Sequence, residues 1–178
     1  QQVQQAVAWV HLAGDPAVVG PTMHTMSRSL GVAGRDAWCA GPNQSAYVLT
    51  REGLLNLQPN VFAVDKSSMV SRGRLDSFFS SRNWDKITPV LVHDVARQGV
   101  WIWLNNSDHP QQSEHLFYSY ATNGFFPITM AHTSFTGATC GTSAVMELNG
   151  TPMVVVGSEY GVIGCFDPDV ICGSDGQD

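Results

Sequence analysis

Charged residues are scarce in this sequence. Asp, Glu, Lys and Arg make up 13% of the 178 residues, about half of the share that is usual for a soluble domain. Only two lysines and four glutamates occur, and these residue types normally cover the exposed faces of helices. We therefore expect a fold with little helix. The net charge of −6 also argues against a basic surface that binds nucleic acid.

Several other signals are missing. No apolar run approaches the roughly 20 residues of a membrane-spanning helix. No phosphate-binding loop, nucleotide fingerprint or pair of catalytic carboxylates occurs. The four cysteines have neither C-x-x-C nor zinc-binding spacing, and we interpret them as small buried residues. A disulfide between Cys165 and Cys172 is the open alternative. They are Cys39, Cys140, Cys165 and Cys172. The sequence predicts neither a metal nor a cofactor.

Short apolar segments joined by tight turns fill most of the chain. Each pair of segments predicts a β-hairpin, because strands bounded by Gly, Asn, Asp or Pro are typical of antiparallel sheets. The predicted hairpins span residues 46–57, 89–104, 115–128 and 153–167. Turns are expected at Gly53, Gly124 and Gly161, with positive φ at two or more of them. The sequence therefore predicts an all-β fold of antiparallel hairpins.

The predicted strands recur at a constant interval. Strands that begin near Tyr47, Val100 and Met153 lie about 53 residues apart, close to the interval of propeller blades. We predict propeller-like, blade-like repeats of about 50 residues over residues 38–178, and residues 1–37 remain an unplaced N-terminal segment. Three repeats fall short of the roughly four blades of the smallest closed propeller, so further chain or another subunit is expected to complete the ring. The alternative fold is a six-stranded double β-barrel.

Three stretches carry a family signal: residues 47–57, 90–130 and 152–169, about two fifths of the chain. In the second, an aspartate turn precedes an aromatic strand, and a tyrosine strand then leads into a turn and an aromatic-proline pair. The stretches resemble blades of the β-propellers in virion proteins of tailed phages, especially tail-nozzle and neck components. This resemblance implies a non-enzymatic scaffold located in the virion. Its expected partners are copies of itself or other virion proteins.

A second resemblance concerns Cys140, which lies in the glycine-rich segment 136–143. A catalytic thiol requires a histidine base and backbone N–H groups that form an oxyanion hole. The segment resembles the nucleophile loop of viral chymotrypsin-like cysteine proteases, and a protease with Cys140 as nucleophile is the alternative function. His11 or His24 would be the base, and Asp65 or Asp76 would orient it.

Aromatic residues are concentrated between residues 101 and 126. Since side chains alternate between the two faces of a strand, Trp101 and Trp103 share one face and Ile102 lies on the other. We expect both tryptophans to be buried between sheets rather than to form a sugar-binding platform. An extracellular carbohydrate-binding propeller is the further alternative.

Two acidic residue–histidine pairs, Asp108-His109 and Glu114-His115, flank Pro110. Their spacing fits no zinc signature, and we predict that both lie in a solvated loop. Asp94 follows a strand end, where an aspartate typically caps backbone N–H groups of a turn.

Overall fold

The computed structural model describes residues 8–11, 22–59, 61, 63–128, 140–148, 150–158, 161 and 163–166. The chain divides into two compact units, Gln1–Asp85 and Lys86–Asp178.

The first unit contains short strands and a single-turn helix among its described residues. Its elements are β1 (Ala8–His11), β2 (Thr22–Thr25), β3 (Trp38–Ala40), β4 (Ala46–Thr50), β5 (Gly53–Leu57) and α1 (Asp76–Ser80). Strands β1 and β2 form an antiparallel ribbon, and β3, β4 and β5 form an antiparallel sheet in sequence order. One face of that sheet, which includes Val48 and Leu55, packs against Met26, Leu30 and Val64.

The second unit contains two larger antiparallel sheets. Its strands are β6 (Ile87–Asp94), β7 (Gly99–Asn106), β8 (Glu114–Ser119), β9 (Gly124–Ile128), β10 (Cys140–Leu148), β11 (Thr151–Ser158) and β12 (Ile163–Phe166). The first four form one sheet and the last three form the other, each in sequence order. We call them the four-stranded sheet and the C-terminal sheet. Both are meanders, in which every strand pairs with its sequence neighbour.

The predicted all-β character and all four predicted hairpins are confirmed. They correspond to β4–β5, β6–β7, β8–β9 and β11–β12. The predicted positive φ occurs at Gly53 and Gly161, with values of 154° and 75°, although Gly53 is the first residue of β5 and not a turn residue. Gly124 is the first residue of β9 and does not have a positive φ.

Tyr47, Val100 and Met153, which mark the predicted interval, each lie in the second strand of their sheet.

Candidate functional site

The two sheets of the second unit pack against each other through an apolar cluster. The four-stranded sheet contributes Val90, Val92, Trp101 and Trp103, and the C-terminal sheet contributes Val154 and Val156. Their register explains the cluster, since Val92 lies opposite Trp101 and Val90 lies opposite Trp103. Cα atoms of β10 lie within 8 Å of Cα atoms of both β6 and β7, and Cα atoms of β11 lie within 8 Å of those of β6.

Both tryptophans are buried in this cluster. Trp101 is 5% exposed and Trp103 is 0% exposed, and their rings stack with centroids 5.4 Å apart and an interplanar angle of 5°. The predicted burial between sheets is therefore confirmed. An aromatic platform for a sugar requires exposed ring faces, which these two residues do not offer.

Asp94 holds the turn at one end of the four-stranded sheet. The predicted cap is confirmed, because the Arg97 backbone N–H donates to its carboxylate at 2.9 Å. The Trp101 indole N–H donates to the same carboxylate at 2.9 Å, and the Arg97 guanidinium donates at 3.2 Å. Asp94 is only 2% exposed, so these bonds compensate a buried charge. The carboxylate thus fixes both the turn and the position of Trp101.

The hydrogen bond between Asp94 and the Trp101 indole was not predicted from the sequence. The feature of the sequence that explains this bond is the position of Trp101, two residues after Gly99, the first residue of β7. In the antiparallel pair Asp94 lies opposite Gly99, and Gly99 and Trp101 share a face because they are two positions apart. This register brings the indole N–H to the carboxylate.

His115 departs from the predicted solvated loop. Asp108 and His109 are exposed in a loop, but Glu114 begins β8 and His115 is only 7% exposed. Its ring contacts the Trp103 ring edge-on, with centroids 5.1 Å apart. The loop prediction was wrong here because the short 3₁₀ turn Pro110–Gln112 ends before Glu114. Burial lowers the pKa of His115 to about 4, so the imidazole is neutral at pH 7.

A second histidine lies at the turn end of the same sheet. The His93 imidazole and the Tyr120 hydroxyl are 3.3 Å apart. Burial lowers the pKa of His93, and the negative charge of Asp94 partly opposes this shift. Burial and the same negative charge raise the pKa of Tyr120. Both groups are therefore uncharged at neutral pH.

The residues of the alternative protease function belong to both units. Cys140 is the first residue of β10 and lies opposite Ser158, and its side chain is outside the described part of the chain. In the β1–β2 ribbon, His11 lies opposite Thr22 and His24 opposite Trp9.

The two proposed orienting carboxylates bind local groups. Asp65 caps the 3₁₀ turn Lys66–Ser68, and it accepts from the Ser67 backbone N–H at 2.7 Å. Hydrogen bonds from Ser67 lower its pKa. Asp76, the first residue of α1, accepts from the Gly73 backbone N–H at 2.9 Å. The described hydrogen bonds of both carboxylates thus stabilise turns.

The two described cysteine side chains differ in environment. Cys39 is half-buried, and burial raises the pKa of its thiol to about 12. Cys165 is an exposed free thiol, so the prediction of a small buried residue was wrong at this position. In β12, Cys165 lies opposite Val155, on the face of the C-terminal sheet that points away from the apolar cluster.

Comparison of the chain with family models, curated proteins and solved structures finds no match. Within the described ranges, no three His, Cys, Asp or Glu residues come together as a set that could hold a metal ion. None of the described helices is long and apolar enough to cross a membrane.

Proposed function

We propose that this chain is a non-enzymatic virion scaffold, a partial β-propeller of a tail, nozzle or neck component that acts within an oligomer. The observation that carries this proposal is the approach of β10 to β6. Sheets that pack face to face in a sandwich lie about 10 Å apart. Here Cα atoms of β10 lie within 8 Å of Cα atoms of β6 and β7, and Cα atoms of β11 lie within 8 Å of those of β6. Both sheets also contribute side chains to one cluster. A close approach of neighbouring sheets that includes their first strands is what propeller blades arranged around a central axis require.

The equivalence of the three meanders supports the same proposal. Residues about 53 positions apart, Tyr47, Val100 and Met153, each lie in the second strand of an antiparallel meander. A recurring unit of this size is what stacked repeats require, because one sheet cannot bury both of its faces alone. Sequence likeness to blades of tailed-phage virion proteins supplies the link to a virion.

The placement of the aromatic residues favours assembly over ligand binding. The stacked tryptophans fill the space between sheets instead of lining a groove. Asp94 is used to hold the Trp101 indole, and His115 is a neutral buried residue. The polar groups next to the tryptophans therefore stabilise packing, which suits a permanent scaffold.

The mass of the chain in solution tests the proposal. We expect residues 1–178 to sediment as an oligomer, at a multiple of the 19.3 kDa monomer mass, at micromolar concentrations. A partial stack leaves a sheet face uncovered, and contact between copies would cover it. A soluble 19.3 kDa monomer that unfolds cooperatively and exposes no apolar face to a hydrophobic dye would overturn the proposal.

A second experiment addresses the virion. We expect the chain to be present in purified particles of a tailed phage that encodes it, and to remain after a high-salt wash. Mass spectrometry of the washed particles measures this directly. Absence from the particles, together with presence in the infected-cell lysate, would contradict the virion role.

A further inference from the structure

We propose that protonation of His115 separates the two sheets of the second unit, so that the junction between them acts as an acid-operated switch. This inference goes beyond the proposed scaffold role and does not depend on it. In acid both sheets keep their own strands paired, and the face of the four-stranded sheet that carries Trp101 and Trp103 becomes accessible.

His115 lies on the face of the four-stranded sheet that contributes to the apolar cluster. Strand register places it between Trp103 of β7 and Ile128 of β9, and Ile128 packs against the cluster. The imidazole contacts the Trp103 ring, and Trp103 belongs to the same cluster as Val154 of the C-terminal sheet. A charge on the imidazole therefore arises beside a residue through which the two sheets pack.

The environment of the imidazole suits only its neutral form. The His115 side chain is buried, and its Nδ1 atom has no hydrogen-bond partner among the described residues. Protonation puts an N–H group on both ring nitrogens, so the buried Nδ1 becomes a donor without an acceptor. A buried charge without a partner is strongly unfavourable. Separation of the sheets removes this penalty, because water then reaches the ring.

The charged groups around the cluster do not stabilise a protonated His115. The titratable side chains on the cluster face and at the edges of the described elements around it are Lys86, Asp94, Arg97, Asp108, His109 and Glu147. Four of them form two ion pairs with each other, and the other two are exposed. His93 and Glu114 lie on the opposite face of the sheet. Burial alone lowers the pKa of His115, so none of these groups offsets the cost of a buried imidazolium.

The junction between the sheets can open without unfolding either sheet. Every described strand of the second unit pairs only with strands of its own sheet, so separation breaks none of these ladder hydrogen bonds. What it disrupts is the side-chain packing of the cluster. The opposite face of the four-stranded sheet remains buried, since Ile102 is 0% exposed there. Local opening of this kind requires less free energy than global unfolding.

The pKa of His115 sets the pH range of the switch. It is about 4 in the packed structure and rises to the usual value of about 6.5 when water reaches the ring, so the separated form binds a proton first as the pH falls. The packed form keeps its full advantage above about pH 6.5 and loses it progressively down to about pH 4. Between pH 7.5 and pH 5 the equilibrium constant for separation should therefore rise about thirtyfold.

Thiols introduced on the two faces of the four-stranded sheet report which part opens. Val154→Cys places a thiol in the cluster, and Ile102→Cys places one on the opposite buried face. The alkylation rate of each new thiol, resolved by peptide mapping, is divided by that of the exposed Cys165, which corrects for the pH dependence of thiol reactivity. From pH 7.5 to pH 5 we expect the ratio for Val154→Cys to rise about thirtyfold. The ratio for Ile102→Cys should stay nearly constant.

The matched control adds His115→Phe to Val154→Cys. It keeps His93, so the loss of most of the rise in this double variant assigns the response to His115. Val156→Cys, at another buried position of the cluster, replaces Val154→Cys if that variant is not folded at pH 7.5. A rise that persists with His115→Phe, an equal rise at Ile102→Cys, or a ratio that does not change with pH would each overturn the proposal.

Discussion

The four-stranded sheet and the C-terminal sheet are built from similar strands but are covered differently. In β7 of the four-stranded sheet, adjacent residues on opposite faces, Ile102 and Trp103, are both 0% exposed. In β11 of the C-terminal sheet, Val154 is 1% exposed, whereas on the opposite face Met153 is 9% exposed and Val155 is half-buried. An uninterrupted apolar strand therefore does not establish that both of its faces are equally covered.

The strongest test of this contrast compares core and surface truncations. We expect Trp103→Ala to lower the free energy of unfolding by about 3–5 kcal/mol, because it removes a large side chain from the cluster between the sheets. Ile163→Ala, at a residue of β12 that is 76% exposed, should change it by no more than about 0.5 kcal/mol. Urea unfolding of both variants measures the difference. Equal effects would show that the two sheets are not covered as described.

Acid should destabilise the four-stranded sheet through His115. The folded-state pKa of about 4 lies below the usual value of about 6.5, so the unfolded chain binds a proton first. Stability should be constant above about pH 6.5, fall by about 3 kcal/mol as the pH drops to about 4, and then level off.

The control for this pH dependence is His115→Phe, which keeps a ring beside Trp103 and cannot be protonated. Urea midpoints at pH 7.5 and pH 5 should differ less in this variant than in the wild type. A smaller slope of the same sign remains from His93, whose pKa is also lowered by burial. Identical slopes in the wild type and His115→Phe would contradict the assignment.

The turn of the four-stranded sheet should depend on the charge of Asp94. Asp94→Asn keeps the shape but weakens the hydrogen bonds to Trp101 and Arg97, and we expect a loss of about 1.5–3 kcal/mol. Asp108→Asn is the control, since Asp108 is an exposed carboxylate that binds Lys86. Thermal unfolding should distinguish the two variants clearly. A Tm for Asp94→Asn as high as that for Asp108→Asn would show that the buried carboxylate is not required.

The smallest of these effects concerns the β11–β12 turn in the C-terminal sheet. Gly161 has φ = 75° and no atom within 4 Å of the position of an added Cβ, so Gly161→Ala should cost only the backbone strain, about 1 kcal/mol. Gly53→Ala should cost more, because its added Cβ would collide with the Ser71 hydroxyl. The order of the two Tm values checks this expectation, and a reversed order would contradict it.

The local sequence predicted the hairpins, but it did not predict which side chains pack around them. Turn residues such as Gly53 and Gly161 act within a few positions, so their effect is readable from the chain alone. The burial of His115 depends on contacts such as that with Trp103 on the neighbouring strand, 12 positions away in the sequence, and this contact leaves no local pattern. The position of Asp94 in a turn was predictable, whereas its bond to the Trp101 indole required the register of two strands.

The burial of side chains in the C-terminal sheet was even less predictable from sequence. The apolar run of β11 predicts a strand, but only the coordinates distinguish the buried Val154 from the half-buried Val155. Cys165 was wrongly predicted as buried for the same reason, since residue type alone does not determine burial.

The meander order of the strands has a consequence for how the chain folds. Every described strand pairing joins sequence neighbours, so each sheet closes only short loops, at little entropic cost. Docking of the two sheets closes a much longer loop, because Trp101 and Val154 lie about 53 residues apart in the sequence. During synthesis the strands β6 to β9 are made before β11. The tryptophan face of the four-stranded sheet therefore stays exposed until β11 has been made and can pack against it. We therefore expect docking of the two sheets to limit the folding rate. Newly made chains should be most prone to aggregation in the interval before docking.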